Sequence, residues 1–466
     1  MDVMIFILKA YFVFTIIVMI VYSVRHFLFA YNRMFARQRL YYNDIVTTDL
    51  PRVTVMVPMH NEEQVLAFAL DALLACEYDR DKLEIIPIND HSTDATAEML
   101  EEYHARYPFI RPLHRIGDEQ RGKPSGLNDA LKLATGDIII VFDADYRPAK
   151  DMIKQLALAF QDPEAGAVMG RVIPFNANTN LLTRLLNLER SGGYQADQQA
   201  RYNLRTVPQY GGTVGGFRKD LLDEGFDTAV LAEDTDLTYR LYARGYKVIY
   251  ANSAECYEEV PEDWRVRARQ VRRWARGHNR VVFKRLLSVL FNRRMSFGER
   301  FDGILLLGVY AVPAILAIGI IDTLFLFFLG EMELLSTWIM LVFIGAYNSF
   351  GNFAPFYEIA AALMMDGGKQ DVKLMPLISF NFYFYMWNIT LGFFDNLGDM
   401  LTRRQAKWDK TVRFVGTGQH ATEAGAGAAA GTAAGAAAMA AAHAEEHAGS
   451  SPKQNPAPHA QGRSDT

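Results

Sequence analysis

The chain has 466 residues, of which 50% are apolar and 22% are charged, so it can bury a sizeable core and also place helices in lipid. Its formal net charge of -5 provides no overall basic surface, which argues against a nucleic-acid partner. Cys76 and Cys256 are its two cysteines, and because they form no CxxC pair they indicate neither a disulfide framework nor a zinc site.

The N-terminal segment 3–24 is apolar and long enough to cross a bilayer. It lacks the basic start and the small-residue cleavage site of a secretory signal, so residues 1–24 are predicted to be a retained transmembrane anchor. Four arginines follow it closely: Arg25, Arg33, Arg37 and Arg39. The positive-inside rule therefore places a linker over residues 25–50, and the domain after it, on the cytoplasmic side of the cell membrane.

Residues 51–260 have the pattern of an α/β domain. The β-branched runs 53–57, 83–88 and 138–142 are predicted to be buried parallel strands with helices between them. Polar residues follow each run: Asn61 and Glu62, then Asp90 and Asp94, then Asp143 and Asp145. Ligands of open α/β sheets bind outside the carboxyl ends of the strands, so these three motifs are predicted to share one crevice.

Asp143 and Asp145, separated by Ala144, predict a metal site. In an extended segment alternate side chains face the same way, so the two carboxylates would converge. Such a pair suits a hard divalent cation that keeps waters and bridges phosphate oxygens, here Mg²⁺ or Mn²⁺. Aspartate is also common where a strand enters a turn, and that alternative explains an isolated DxD. The DxD motif of this chain follows a buried strand, which is the structural context that a metal site needs.

Asp90 and Asp94 also have two interpretations. Ser92 or Asp94 can cap the helix that follows, whereas Asp90 precedes the cap and can reach the base or ribose of a nucleotide. Further along, the basic loop 121–128 enters a helix with Lys123, which predicts a phosphate or nucleotide contact. Taken alone, the same loop is an ordinary exposed turn.

Glu233 and Asp234 open a helix that is predicted to end at Gly245. The helix dipole favours acids in a first turn, and this explains at least one of them structurally. The functional interpretation is that one carboxylate is a general base, which takes the proton from an attacking hydroxyl.

Segment 263–291 is basic and amphipathic, which is typical of a helix on a membrane surface. Within it, Gln270, Arg273 and Trp274 are spaced i, i+3, i+4 and are predicted to share one helical face. An arginine beside an indole can bind a departing diphosphate while a sugar ring packs on the aromatic surface. The two interpretations are compatible.

These motifs, in this order, resemble those of membrane-embedded family 2 inverting glycosyltransferases of the processive polysaccharide synthase type, which include cellulose, hyaluronan and poly-N-acetylglucosamine synthases. The resemblance covers roughly residues 53–291, with a membrane region of similar design after it. It implies an α/β domain of the GT-A type, which is Rossmann-like, over residues 51–260 and an interfacial helix over 261–300. It also implies a UDP-sugar donor, with a GDP-sugar as the alternative, and Mg²⁺ or Mn²⁺ as the cofactor.

By this resemblance Asp234 is the catalytic base. The residues that would bind the donor nucleotide are Asn61, Glu62, Asp90, Lys123, Asp143 and Asp145, of which the last two would hold the metal. Those that would bind the acceptor and the diphosphate are Glu233, Gln270, Arg273 and Trp274. The loop 210–216 resembles the family's small-residue loop near the acceptor. Asn89, His91 and Ala232 depart from the more usual Asp, Gly and Thr, and these departures bear on which sugar fits.

Residues 301–400 are expected to form transmembrane and interfacial helices that begin with an apolar hairpin. The segment 374–397 is long enough to span, but the basic residues after it favour an interfacial or re-entrant helix. Residues 401–415 would then be cytosolic, and Trp408 to Thr411 resembles the gating loop of such synthases. Residues 416–466 are rich in Ala and Gly and are predicted to be a disordered tail.

The leading interpretation is a processive synthase that elongates a polysaccharide and exports it. A transferase that glycosylates one membrane lipid is the alternative, and a non-catalytic nucleotide-sugar-binding subunit of an export complex is the third. The presence of Asp143, Asp145, Asp234 and Arg273 argues against the third. The expected partners are the nucleotide-sugar, a glycan or lipid acceptor, the bilayer, and an accessory subunit or second copy that completes an export path. The expected location is the inner membrane, in a multi-pass arrangement.

Overall fold

The structure is a computed structural model that describes residues 2–39, 49–117, 120–332, 341–342, 345, 347, 351–402 and 414. The strands are β1 Val53–Met59, β2 Leu83–Asp90, β3 Leu113–Arg115, β4 Ile138–Val141, β5 Arg147–Pro148, β6 Ala165–Pro174, β7 Gly215–Arg218 and β8 Lys247–Glu258. They form one mixed sheet with the order β3-β2-β1-β4-β7-β6-β8-β5.

Helices surround this sheet and extend beyond it at both ends of the chain. They are α1 Asp2–Phe35, α2 Leu66–Leu74, α3 Thr96–Arg106, α4 Lys123–Leu133, α5 Met152–Ala159, α6 Leu181–Arg190, α7 Gln199–Asn203, α8 Glu233–Arg244, α9 Trp264–Leu290, α10 Phe297–Gly308, α11 Val312–Phe328, α12 Ala354–Met365 and α13 Met375–Thr402. A π-helical segment, Ser191–Gln198, joins α6 to α7.

The three strands expected from the β-branched runs are present and mutually parallel, since β1 pairs with β2 on one side and with β4 on the other. All of β4 and nearly all of β1 and β2 are buried, as expected for strands covered on both faces. Their carboxyl ends meet at one edge of the sheet. The prediction of an α/β fold of the GT-A type is confirmed.

The other half of the sheet depends on β7, which runs antiparallel to both β4 and β6. Gly215 begins β7, and a Cβ built there would lie 2.4 Å from the Val168 carbonyl oxygen and 3.0 Å from the Tyr210 ring. The strand therefore needs a residue without a side chain at this position.

Among the described residues, one helix can cross a membrane by length and apolarity: α1, over Val3–Phe35. It continues beyond residue 24, the predicted end of the anchor. The apolar stretch after α9 is not a straight span, because α10 and α11 meet at an angle of 69° and together could form one broken span. The multi-pass arrangement stays a prediction.

Residues 375–397 of the segment 374–397 lie within α13, which packs along α9, and Leu374 ends the 3-10 turn before it. The approach is close at Gly392, where a Cβ would lie 2.6 Å from the Arg272 carbonyl oxygen. The opposite side of α13 exposes apolar side chains, among them Phe380, Tyr383 and Trp387. The gating-loop resemblance at Trp408 to Thr411 and the predicted tail over 416–466 lie outside the described residues.

A buried ion network attaches α1 to the catalytic part. Arg25 pairs with Asp197 at 2.6 Å and with Asp302 at 3.4 Å, and Arg201 contacts the same two carboxylates at 2.5 Å each. Burial alone would raise the pKa of Asp197, but the two guanidinium groups hold it well below its usual range. The two guanidinium groups and the two carboxylates thus neutralise one another's charge at a largely buried site.

We expect Gly215→Ala to destabilise the fold by about 1–3 kcal/mol, because the new methyl group meets backbone that cannot move cheaply. Thermal unfolding followed by intrinsic fluorescence measures the loss. Gly298→Ala is the matched control, since a Cβ there meets nothing within 4 Å and the substitution lies in a helix, where alanine is preferred. Equal midpoints for the two variants would contradict this account of β7.

Candidate active site

The loops after β1 and β2 hold each other at the edge of the sheet. Asn61 has a left-handed backbone with φ of 55°, which asparagine tolerates better than most residues. Its backbone N–H donates to Ser92 Oγ at 2.9 Å, and its side-chain oxygen accepts from the Thr93 N–H at 2.7 Å. Glu62 is buried, and its N–H donates to Thr96 Oγ1 at 2.9 Å. Both predicted donor-binding residues therefore form the junction of the two loops.

Asp90 lies at the end of β2 and uses both carboxylate oxygens. Oδ1 accepts from Arg115 at 2.6 Å and contacts the His91 ring at 2.7 Å, while Oδ2 accepts from the Gly122 N–H at 2.8 Å. The carboxylate thereby fastens the loop that leads into α4 and Lys123. Its proposed contact with a nucleotide stays a prediction. Asp94 accepts from the Thr96 N–H at 3.0 Å, at the first residue of α3, but the N-cap position itself is Ala95.

Lys123 lies among three carboxylates, those of Asp143, Glu233 and Asp234. Its ammonium group donates to Asp143 Oδ1 at 2.7 Å and to the Gly212 carbonyl oxygen at 2.9 Å. Gly212 has a φ of 77°, and a Cβ there would lie 3.2 Å from Asp234 Oδ2. Burial lowers the pKa of Lys123, but Asp143, Glu233 and Asp234 together raise it by more. The four groups therefore share one crevice.

The geometry predicted for Asp143 and Asp145 is wrong in one respect. The strand ends at Val141, and residues 143–146 form a turn in which the Tyr146 N–H donates to the Asp143 carbonyl oxygen at 3.1 Å. The two carboxylates therefore do not converge through strand alternation. The strand stops because Tyr146 closes this turn, as the alternative interpretation of a lone DxD anticipates.

A divalent cation still fits these residues. Asp143 is half-buried, with 32% of its side chain exposed, and Asp145 is of intermediate exposure. In the described part of the chain no group of three or more His, Cys, Asp or Glu side chains could hold a metal ion. Mg²⁺ and Mn²⁺ bound to a diphosphate need only one or two carboxylates, because phosphate oxygens and waters complete the shell.

Glu233 and Asp234 open α8, which ends at Gly245 in the left-handed conformation, as predicted. Asp234 Oδ1 accepts from the Thr235 N–H at 2.7 Å. Burial raises the pKa of Glu233 to about 7; Lys123 opposes this shift and Asp234 adds to it. Lys123 and Asp234 thus both belong to the electrostatic environment of Glu233.

Gln270, Arg273 and Trp274 all lie on α9, and their surroundings differ. Gln270 Oε1 accepts from Arg267 at 2.7 Å, and the Trp274 ring has the guanidinium of Arg267 at 4.9 Å and that of Arg190 at 5.6 Å. Arg273 instead lines a cleft of ≈ 570 Å³ between α9 and α13, beside Leu231. That Gln270, Arg273 and Trp274 act together from one face of α9 stays a prediction.

His278 and Tyr310 are two further residues beside Asp234 that belong to none of the sequence motifs. His278 lies within 3.4 Å of Thr235 Oγ1 and stacks on the Tyr310 ring, with centroids 4.4 Å apart. Its spacing of four residues from Trp274 could have revealed it. Tyr310 lies at the break between α10 and α11, and no sequence pattern places it near Asp234.

Glu233 makes stability depend on pH. The folded state keeps its proton up to a pKa of about 7, whereas the unfolded chain releases it near the ordinary value of 4.5. Between these values the folded state binds more protons, so stability falls as the pH rises from about 4.5 to about 7. We expect the free energy of unfolding of Glu233→Gln to vary less with pH between pH 5 and 8 than that of the wild type, by about 1–3 kcal/mol over this range. Thermal unfolding midpoints measured across these pH values check the difference. Glu98→Gln, at an exposed site, should keep the wild-type slope; parallel curves for Glu233→Gln would contradict the assignment.

Comparison with known proteins identifies the family. Residues 54–226 match the model of Glycosyl transferase family 2. The probable glycosyltransferase YdaM of Bacillus subtilis is 31% identical over 385 residues, which cover 78% of this chain and 88% of that protein. The β-monoglucosyldiacylglycerol synthase of Nostoc sp. is 29% identical, with 83% and 81% covered. The poly-β-1,6-N-acetyl-D-glucosamine synthase of Staphylococcus aureus is 30% identical, with 54% and 60% covered.

A solved structure agrees with this result. The mannosyltransferase PcManGT from Pyrobaculum calidifontis, in complex with GDP-Man and Mn²⁺, superposes with a TM-score of 0.51 and 25% identity over 77% of this chain and 97% of its own. The family thus includes proteins named for polysaccharide synthesis and for glycolipid synthesis. The chain belongs to glycosyl transferase family 2 and is a hexosyltransferase with the GT-A fold.

Proposed function

We propose that the protein transfers a hexose from a nucleotide-sugar to an acceptor hydroxyl at the cytoplasmic face of the membrane, with inversion at the anomeric carbon. The observation that carries this proposal is the position of Lys123. Its ammonium group joins the Asp143 carboxylate to the Gly212 carbonyl, and Gly212 lies against Asp234. The acid for the donor diphosphate and the base for the acceptor are thereby neighbours.

Asp234 is the general base in this proposal. Its carboxylate is held by the Thr235 N–H and takes the proton of the acceptor hydroxyl as the oxygen attacks the anomeric carbon. Lys123 stabilises the negative charge that develops on the departing diphosphate, and Arg273 does so from the cleft beside Leu231. A Mg²⁺ or Mn²⁺ ion held by Asp143 and Asp145 would supply further charge neutralisation at that diphosphate. The Mn²⁺ in the mannosyltransferase complex supports this role.

We propose the end of a growing polysaccharide as the acceptor. Gln270, Trp274 and His278 follow one another at four-residue intervals along α9, so they form a row of roughly 12 Å. A row of this length exceeds one hexose ring and suits an extended glycan. Such a glycan would be carried outward beside α1 and the α10–α11 pair, which makes export part of the proposal.

A lipid acceptor is the second candidate. It is favoured by the similarity to the Nostoc glycolipid synthase, which extends over 402 residues, whereas that to the S. aureus polymer synthase covers 254. In this case α1 would anchor the chain and the helices after α9 would admit the lipid. The donor is proposed to be a UDP-hexose, with a GDP-hexose as the alternative because the mannosyltransferase neighbour holds GDP-Man.

Asp234→Asn should remove the carboxylate that accepts the proton of the acceptor hydroxyl, while nucleotide binding stays intact. We expect sugar transfer to fall by at least about 100-fold, with the Kd for nucleotide diphosphate changed by less than about twofold. Asp151→Asn, at an exposed position before α5, is the control and should retain wild-type turnover. An Asp234→Asn variant that transfers sugar at the wild-type rate would refute the assignment of the base.

The size of the product formed from a panel of sugar donors distinguishes the two candidate acceptors. The protein in lipid nanodiscs would receive UDP- and GDP-hexoses with Mg²⁺ or Mn²⁺, and nucleotide release and product size would be followed. We expect one donor to produce a growing ladder that a chelator abolishes. A single glycolipid would replace the polymer proposal with the lipid one. Nucleotide binding without any turnover would point to the non-catalytic subunit.

A further inference from the structure

His278 continues the acceptor-side face of α9. It lies one turn beyond Trp274 and two turns beyond Gln270, and residues at four-residue intervals lie above one another on a helix. Thr235, the residue next to the proposed base, approaches it from α8. The imidazole is thus placed where the row of α9 side chains reaches Asp234.

The hydrogen bonds recorded for His278 leave it with unused capacity. Among the described residues its partner is Thr235 Oγ1, at 3.2 Å from Nδ1 and 3.4 Å from Nε2. That hydroxyl also accepts from Gln209 Nε2 at 2.9 Å. One hydroxyl group cannot satisfy both ring nitrogens, because each needs its own donor or acceptor. The side chain of His278 is of intermediate exposure, so the imidazole is not sealed inside the core.

The imidazole is suited to a neutral polar ligand. Burial lowers the pKa of His278 more than the charge of Asp234 raises it, so the ring is neutral at neutral pH. A neutral imidazole offers one donor and one acceptor. A sugar hydroxyl, which can both donate and accept, matches either nitrogen.

Tyr310 forms the wall behind this imidazole. The two rings are tilted by 31° with centroids 4.4 Å apart, and the Tyr310 carbonyl oxygen accepts from Asn279 Nδ2 at 3.2 Å. Because Tyr310 lies between α10 and α11, the break in these helices delivers an aromatic ring to the catalytic centre.

We propose that His278 and Tyr310 form an acceptor subsite for a hexose. The imidazole hydrogen-bonds a hydroxyl of the terminal acceptor sugar adjacent to the hydroxyl that Asp234 deprotonates, and Tyr310 fixes the plane of the imidazole. The inference rests on the proposed function, since it assumes that Asp234 is the base and that the acceptor is a sugar. It adds a residue pair that sets acceptor specificity.

The test separates acceptor binding from donor binding. His278→Phe keeps a ring to stack on Tyr310 but removes both nitrogens, and His278→Asn restores one donor and one acceptor. With the UDP- or GDP-hexose held saturating and methyl β-glucoside varied, we expect the acceptor KM of His278→Phe to rise by about fivefold to tenfold. The donor KM, the rate of donor hydrolysis by water and the unfolding midpoint should stay at wild-type values, and His278→Asn should recover part of the loss. His104→Phe, at an exposed site, is the control.

An unchanged acceptor KM in His278→Phe would overturn the subsite. So would a parallel loss of nucleotide binding or of thermal stability, which would make His278 a structural residue. Calorimetric titration of methyl β-glucoside in the presence of nucleotide diphosphate tests the inference independently of turnover. If the wild type binds the glucoside but transfers nothing to it, the proposed function fails, and weaker binding by His278→Phe still supports the subsite. A wild type that binds nucleotide but no glucoside would overturn it.

Discussion

The catalytic crevice depends on one ammonium group that compensates several carboxylates. Asp143, Glu233 and Asp234 all act on Lys123 electrostatically, and without a cation among them their mutual repulsion and burial would favour protonation or separation. Glu233 shows how close this balance is, since its pKa stays near 7 even with Lys123 present. The loop that carries Lys123 is in turn fastened by Asp90 through Arg115 and Gly122. The acid at the end of β2 therefore acts on the crevice through the placement of a lysine.

A second constraint fixes Asp234, the proposed base, relative to α9. Asp236, one turn into α8 and 1% exposed, forms a bidentate pair with Arg285 of α9 at 2.7 and 3.0 Å. Gly277 lets the same helix approach closely, since a Cβ there would lie 3.1 Å from the Ala232 nitrogen. Removing one partner of a buried pair leaves an uncompensated charge, which makes such a contact hard to shift. The distance between Asp234 and the Trp274 face is therefore set by α8–α9 packing.

The sequence predicted the elements that rest on local patterns. Runs of β-branched residues located β1, β2 and β4 to within a few residues, and Gly245 marked the end of α8, because burial and helix termination leave periodic or single-residue signals. Patterns of this kind do not describe how the chain turns after a strand. The Asp143 turn follows from a backbone hydrogen bond of Tyr146, and the side of α9 on which Arg273 lies follows from packing against α13. Tyr310 is distant in sequence from every motif, so only the three-dimensional break between α10 and α11 brings it to His278.

The attachment of α1 has a practical consequence for preparing the enzyme. The helix α1 makes specific polar contacts with the rest of the protein. Arg25 pairs with the carboxylates of Asp197 and Asp302. Arg33 donates to the Gln195 carbonyl oxygen at 2.7 Å, and His26 contacts Glu358. In a truncated chain that starts at β1, Arg201 would be the remaining partner from this ion network for Asp197 and Asp302. Polar groups of the π-helical segment that contact α1 would then be exposed to solvent or detergent. A soluble catalytic fragment of this transferase should thus be cut upstream of Arg25, or redesigned at those two carboxylates.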